Sequence, residues 1–210
     1  MSPRAYNLGR RKAATEETRS RIIHAARSLL ADPGGVSAFT VEAVAREAGV
    51  ARMTVYYQYG SKGGLLDALY DDLAARGLVP VLQSVFQAPD PRTMFLRLIE
   101  AFSSFWAGDR IITRRLRALA WLDPAIEVGI RTRDSWRRGH FARAIEGIGG
   151  KELPEQARSD LLETVLAATS FETYDQLAEG RTADEASRLV TLSVQSLLAR
   201  HGLSLEPIRD

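Results

Sequence analysis

The chain has 210 residues, of which 45% are hydrophobic and 26% charged, with no cysteine and a formal net charge of +2. That length can bury a sizeable core, and the composition is that of a soluble globular protein. Disulfides and thiolate metal sites are excluded, and no run of about eighteen apolar residues suggests a membrane span. The charge is uneven. Residues 1–62 carry ten Lys/Arg against five Asp/Glu, whereas residues 63–210 carry eighteen against twenty-one. A basic first part on a near-neutral body suits contact with nucleic acid.

Residues 1–14 read as a flexible basic arm with the cluster Arg10-Arg11-Lys12. Such an arm either neutralises phosphates or is a solvated terminus. No apolar segment of signal-peptide type occurs near the start, so a cytoplasmic location is expected. A first helix is predicted over 15–31, with Ile22, Ala26, Leu29 and Leu30 on one face, ended by Asp32-Pro33-Gly34-Gly35.

The segment 40–66, TVEAVAREAGVARMTVYYQYGSKGGLL, carries the most information. Thr40 can cap a helix whose apolar face is Val41, Val44, Ala45 and Ala48. Gly49 follows, where a left-handed residue is needed to end it. Val55 then turns inward, while Arg52, Met53, Thr54, Tyr56, Tyr57 and Gln58 stay on the open side. This is the layout of a helix-turn-helix whose second helix enters the DNA major groove, with the motif over 40–59. A further helix is predicted from about Ser61 to Gly77, with the stripe Leu65, Leu66, Leu69 and Leu73.

Ala48-Gly49-Val50, Thr54-Val55-Tyr56, Tyr59, Ser61-Lys62 and Leu65-Leu66 together resemble the N-terminal DNA-binding domain of the TetR family of bacterial transcriptional regulators. Arg21 to Leu30 is similar to that family's first helix, and the match covers roughly residues 15 to 75. Ala51 stands where the family usually has Ser, so the recognition helix starts without a side-chain cap. Tyr59 replaces a usual Phe. Gly63 replaces a usual Glu, which predicts a loose start to the next helix and a mobile Lys62. The resemblance implies phosphate contacts at Thr54, Tyr56 and Lys62. From groove chemistry, Arg52 is the candidate for a bidentate guanine contact and Met53 for a thymine methyl. Thr40 and Tyr57 complete the expected DNA-facing set.

Beyond residue 78 the pattern is helical, with spans predicted over 79–87, 91–107, 110–122, 124–147, 154–179 and 183–200. The breaks fall at Pro, Gly and Asp-Pro positions, and no strand alternation appears. The expected fold is therefore all-α: a three-helix helix-turn-helix domain over 15–77, joined to a larger helical ligand-binding and dimerisation domain over 78–210. Aromatic residues recur on the middle helices, and Phe102, Trp106 and Trp121 are candidates to line an apolar pocket with Tyr174 as a polar anchor. The alternative is plain core packing. Leu161, Leu162, Val165 and Leu166, with Leu189 to Leu198, put apolar residues on more than one face of the last two helices, which predicts a two-fold homodimer.

His24, His140 and His201 are scattered, without metal-ligand spacing. Gly147 to Glu152 lacks the Gly and Ser/Thr positions of a phosphate loop and reads as a helix stop. Arg114, Arg115 and Arg117 read as a solvated face or a holder for an acidic ligand. No cofactor, metal or catalytic residue is expected. The predicted function is a ligand-responsive regulator, a repressor released from a palindromic double-stranded operator by a small hydrophobic effector. The alternatives are an all-α enzyme acting on an apolar substrate and a helical interaction module.

Overall fold

The computed structural model describes residues 3–206, and among these every regular element is helical. The helices are α1 (Pro3–Ala31), α2 (Gly35–Ala38), α3 (Val41–Glu47), α4 (Arg52–Tyr59), α5 (Lys62–Gly77), α6 (Val79–Phe86), α7 (Pro91–Gly108), α8 (Arg110–Leu122), α9 (Pro124–Gly147), α10 (Glu155–Ala168), α11 (Phe171–Leu177) and α12 (Ala183–Ala199). No helix among the described residues is long and apolar enough to cross a membrane. The chain divides into two compact units, Met1–Asp72 with Arg115–Glu127, and Leu73–Arg114 with Val128–Asp210.

In the first unit the core is built from Ile22, Ala26 and Leu30 of α1, Val41 and Val44 of α3, Val55 of α4, and Leu65, Leu66 and Leu69 of α5. The α1 backbone starts at Pro3 rather than at Thr15. Proline is tolerated in the first turn, where its missing N–H has no partner to lose, and Arg, Lys, Leu and Ala sustain the helix beyond it. The basic cluster at 10–12 lies on the backbone of α1; the side chains of Arg10 and Arg11 lie outside the described residues. Residues 115–127 pack into this same unit, where the Arg115 guanidinium donates to the carbonyls of Leu30 and Asp32 at the end of α1.

In the second unit the core is aromatic. Phe95, Phe102, Phe105 and Trp106 of α7 are buried with Phe141 of α9, Phe171 and Tyr174 of α11, and Val190, Val194 and Leu198 of α12. The single helix expected over 154–179 is two, broken at Thr169-Ser170. The break is local chemistry. The Ser170 hydroxyl accepts from the Thr173 N–H at 3.2 Å and starts α11, while the Thr169 carbonyl turns aside to accept from Trp106 Nε1 at 3.2 Å. The glycine-rich segment after α9 is a turn: Gly149 has φ of 106°, followed by one 3-10 turn over Gly150–Glu152.

Candidate nucleic-acid interface

The motif is assembled by short-range chemistry. Thr40 is extended and its hydroxyl accepts from the Ala43 N–H at 3.1 Å, capping α3. Gly49 follows at φ 63°, and the Val50 N–H reaches back to the Ala45 carbonyl at 2.9 Å, which closes the turn between α3 and α4. The α4 helix starts at Arg52 with no side-chain cap from Ala51, as its sequence predicts. Val55 is buried in the unit's core, which fixes the rotation of α4 and leaves Met53 (71% exposed) and Tyr57 (86% exposed) facing outward.

Arg52 is exposed and held in a definite pose. Its Nε lies 2.7 Å from Glu42 Oε1 of α3, its Nη2 donates to the Tyr56 hydroxyl at 3.3 Å, and its guanidinium stands 5.3 Å from the Tyr56 ring centroid. The Tyr56 hydroxyl and then the Glu42 carboxylate push the Arg52 guanidinium above its ordinary value. Glu42 therefore orients the candidate guanine-reading side chain. Sequence spacing did not reveal this, because the pair bridges two helices. Thr54 and Tyr56 are half-buried on the same helix.

The far end of α4 is clamped from α1. Arg19 Nη1 donates to the Gln58 carbonyl at 2.9 Å, its guanidinium stacks 4.7 Å from the Tyr59 ring centroid, and the Tyr59 hydroxyl donates to the Arg19 carbonyl at 3.0 Å. Burial raises the Tyr59 pKa, with Arg19 opposing, so this donor stays protonated. Arg19 was not singled out from sequence, since nothing in α1's pattern points to α4. Next, α5 begins with a cap: the Ser61 hydroxyl accepts from the Gly64 N–H at 3.0 Å. Lys62 is half-buried, with its ammonium 5.6 Å from the Phe39 ring centroid. The loose start expected from Gly63-Gly64 is met by the Ser61 cap and by close packing. A Cβ on Gly64 would lie 2.1 Å from the Tyr59 carbonyl oxygen.

The expected effector-lining set is divided by the structure. Phe102, Trp106 and Tyr174 are all buried in the second unit, but the rings pack on their neighbours: Phe102 lies 6.1 Å from Trp106 and 5.8 Å from Phe141, and Trp106 lies 5.6 Å from Phe171. Trp121 is not with them. It belongs to the first unit and is 87% exposed. Along α8 the buried stripe is Ile112, Leu116 and Leu119, and Trp121 falls on the opposite stripe with Ile111 and Arg114. Arg137, unremarked in the sequence, is buried against the aromatic core and donates to the Leu166 carbonyl at 3.1 Å and the Thr169 hydroxyl at 2.8 Å.

The cluster Arg114, Arg115 and Arg117 is not a uniform solvated face. Arg110 and Arg114 grip the Asp175 carboxylate at 2.5 and 2.7 Å, while Arg115, itself in the first unit, donates to the carbonyls of Leu30 and Asp32 there. Burial raises the Asp175 pKa, but the hydrogen bonds from Arg114 and Arg110 outweigh it and hold the carboxyl below its ordinary range. On α12, Val194 is fully buried within its own subunit, whereas Leu192 is 55% exposed and Leu189 and Leu197 are half-buried.

Residues 22–69 match the family model described as bacterial regulatory proteins, tetR family. No curated protein matches the chain. Solved structures of similar fold include a putative TetR-family transcriptional regulator from Rhodococcus sp., with 18% identity over 86% of this chain and 98% of that one and a TM-score of 0.70. Another is a TetR transcription regulator from Haloarcula marismortui, with 19% identity over 90% and 98% and a TM-score of 0.65. A third is a putative transcriptional regulator from Saccharomonospora viridis in complex with choline, with 18% identity over 90% and 98% and a TM-score of 0.66. Residues 22–69 are thus similar to the tetR-family regulatory domain, and the chain shares its all-helical fold with these solved structures.

Proposed function

We propose that this chain is a TetR-type, homodimeric, cytoplasmic repressor that leaves a palindromic operator when a small effector binds its helical second domain. The observation that carries the reading is the pose of α4: Val55 inward, Met53 and Tyr57 outward, and Arg52 held by Glu42 at the helix start. A helix so displayed fits the major groove, with Arg52 on guanine, Met53 on a thymine methyl, and Thr40, Thr54, Tyr56, Tyr57 and Lys62 along the backbone. We assign residues 15–77 to DNA binding and 78–210 to effector binding and dimerisation. Two copies joined through α10 and α12 would bring two recognition helices to major grooves about 34–36 Å apart.

The effector reading is supported by a fold shared with a protein whose structure holds choline. The apolar effector expected from the aromatic set has less support, since those rings fill one another's space and Trp121 stands outside them. Selection of bound duplexes from a random pool tests the function. The expected result is an inverted repeat whose affinity falls steeply with salt. A pool that yields no enriched sequence would overturn the reading.

A further inference from the structure

A cavity of about 730 Å³ lies within the second unit, bordered by α7, α11 and α12. Its size is that of a small-molecule site. Its walls are not the aromatic core. From α7 come Glu100, Ser103 and Ser104, and from α12 come Asp184, Ser187 and Arg188. Tyr174 of α11 also borders it. These positions recur at helical spacing on each helix, and Ala107, Gly108 and Leu192 add apolar wall beside them.

Two features show a built site. Tyr174 and Ser103 are 1% and 3% exposed, border the cavity, and make no side-chain hydrogen bond among the described residues. Neither hydroxyl oxygen is sealed off without a partner, so both remain open to a ligand in the cavity. Burial raises the Tyr174 pKa, Arg110 opposes, and Asp184 raises it further, so the hydroxyl stays protonated. The second feature is charge. Glu100 and Asp184 stand on different helices, and neither makes an ion pair among the described residues. Arg188 adds one positive charge, and it acts on the neighbouring Glu185 carboxylate.

We propose that this cavity binds an aliphatic amine of the diamine or polyamine class, with Glu100 and Asp184 receiving the ammonium groups and the Ser103 and Tyr174 hydroxyls completing their hydrogen bonds. Two separate carboxylates suit two cationic ends, and charge-assisted hydrogen bonds are the strong ones. The inference rests on the reading of this domain as the effector sensor and gives that effector a chemical class.

Calorimetry on the full chain without DNA tests it, using 1,4-diaminobutane and spermidine against the neutral 1,4-butanediol and the dianion succinate. The amines should bind saturably, with the diol and succinate about tenfold weaker or more. Glu100→Gln and Asp184→Asn should each weaken amine binding about tenfold, and Ser187→Trp, which fills the cavity, should abolish it. Circular dichroism checks folding; Glu100 is exposed, so Glu100→Gln remains informative if Asp184→Asn loosens the start of α12. Tighter binding of succinate, equal binding of the diol, no amine heat at millimolar concentration, or amine heat unchanged in both carboxylate variants would overturn the proposal. Operator affinity is then compared for wild type and Glu100→Gln at one amine concentration, because amines also screen phosphates. Saturable amine binding with equal operator affinities in the two proteins would leave the site standing and refute the sensor reading instead.

Discussion

Gly64→Ala probes how the recognition helix is positioned. The added Cβ would lie 2.1 Å from the Tyr59 carbonyl oxygen and 3.3 Å from its carbonyl carbon. These are backbone atoms of the last residue of α4, so no side chain can swing away. To reach even the tight limit of 3.0 Å the gap must open by about 0.9 Å, which means moving the end of α4 against the start of α5. Alanine favours a helix interior over glycine by up to about 1 kcal/mol. Forcing an extra carbon into a packed site costs about 1–3 kcal/mol. With backbone atoms on the far side of the contact the clash wins, for a net loss of up to about 2 kcal/mol, or up to roughly 8 °C in Tm for a chain of this size.

Operator affinity should fall in the same variant, because the displaced element is the one that enters the groove. Gly34→Ala is the control: it has φ of −87° and nothing within 4 Å of its Cβ, so stability should hold or rise slightly. Thermal melts and a DNA titration on both variants decide the matter. A Gly64→Ala protein that melts at or above wild type and binds operator normally would refute the packing argument.

Arg52→Ala should lower discrimination at one base pair per half-site by roughly ten- to a hundredfold and leave other positions unchanged, read by competition between operator variants; unchanged selectivity removes the base contact. Leu197→Glu, at a half-buried position of α12 that does not line the polar cavity, should shift sedimentation at micromolar concentration towards monomer, and a dimer in that variant would place the interface elsewhere. His140 is buried beside Phe86 and Trp136, and burial, then Arg143, lower its pKa from the ordinary 6.5. The native state holds it neutral, so as pH falls below 6.5 towards that depressed value the unfolded chain takes the proton first and stability is lost. Urea midpoints at about pH 7.5 and 5.5 should converge in His140→Gln, and an unchanged difference would refute the assignment.

The helix-turn-helix was legible because its signals are local. Thr40 caps the helix it precedes, Gly49 takes the left-handed turn that its position demands, and Val55 is the inward residue of α4 by spacing alone. Readings that depended on what a helix packs against were less legible, although the stripe Leu65, Leu66 and Leu69 is buried as its spacing predicts. Trp121 has the chemistry of a pocket residue and stands in water because α8 turns Leu116 and Leu119 inward. Val194 has the chemistry of an interface residue and is buried in its own subunit. The break at Thr169-Ser170 looked helical because two hydroxyl residues in sequence do not reveal that one will cap a new helix.

Pairing across helices explains the other omissions. Arg19 holds the end of α4 from a helix forty residues upstream, Glu42 orients Arg52 from α3, and Asp175 gathers Arg110 and Arg114 from α8. Each lies beyond the reach of a periodicity argument. The polar cavity is an intermediate case. Glu100, Ser103 and Ser104 recur at helical spacing on α7, as do Asp184, Ser187 and Arg188 on α12. A polar face on a helix ordinarily means solvent. Here Ser103 lies on such a face and is nevertheless buried, and that combination separates a site from a solvated surface. A helix otherwise rich in buried aromatics, as α7 is, gives a serine at 103 no apolar reason to be inside. Its hydroxyl, open to the cavity and bonded to no described residue, supplies a polar one.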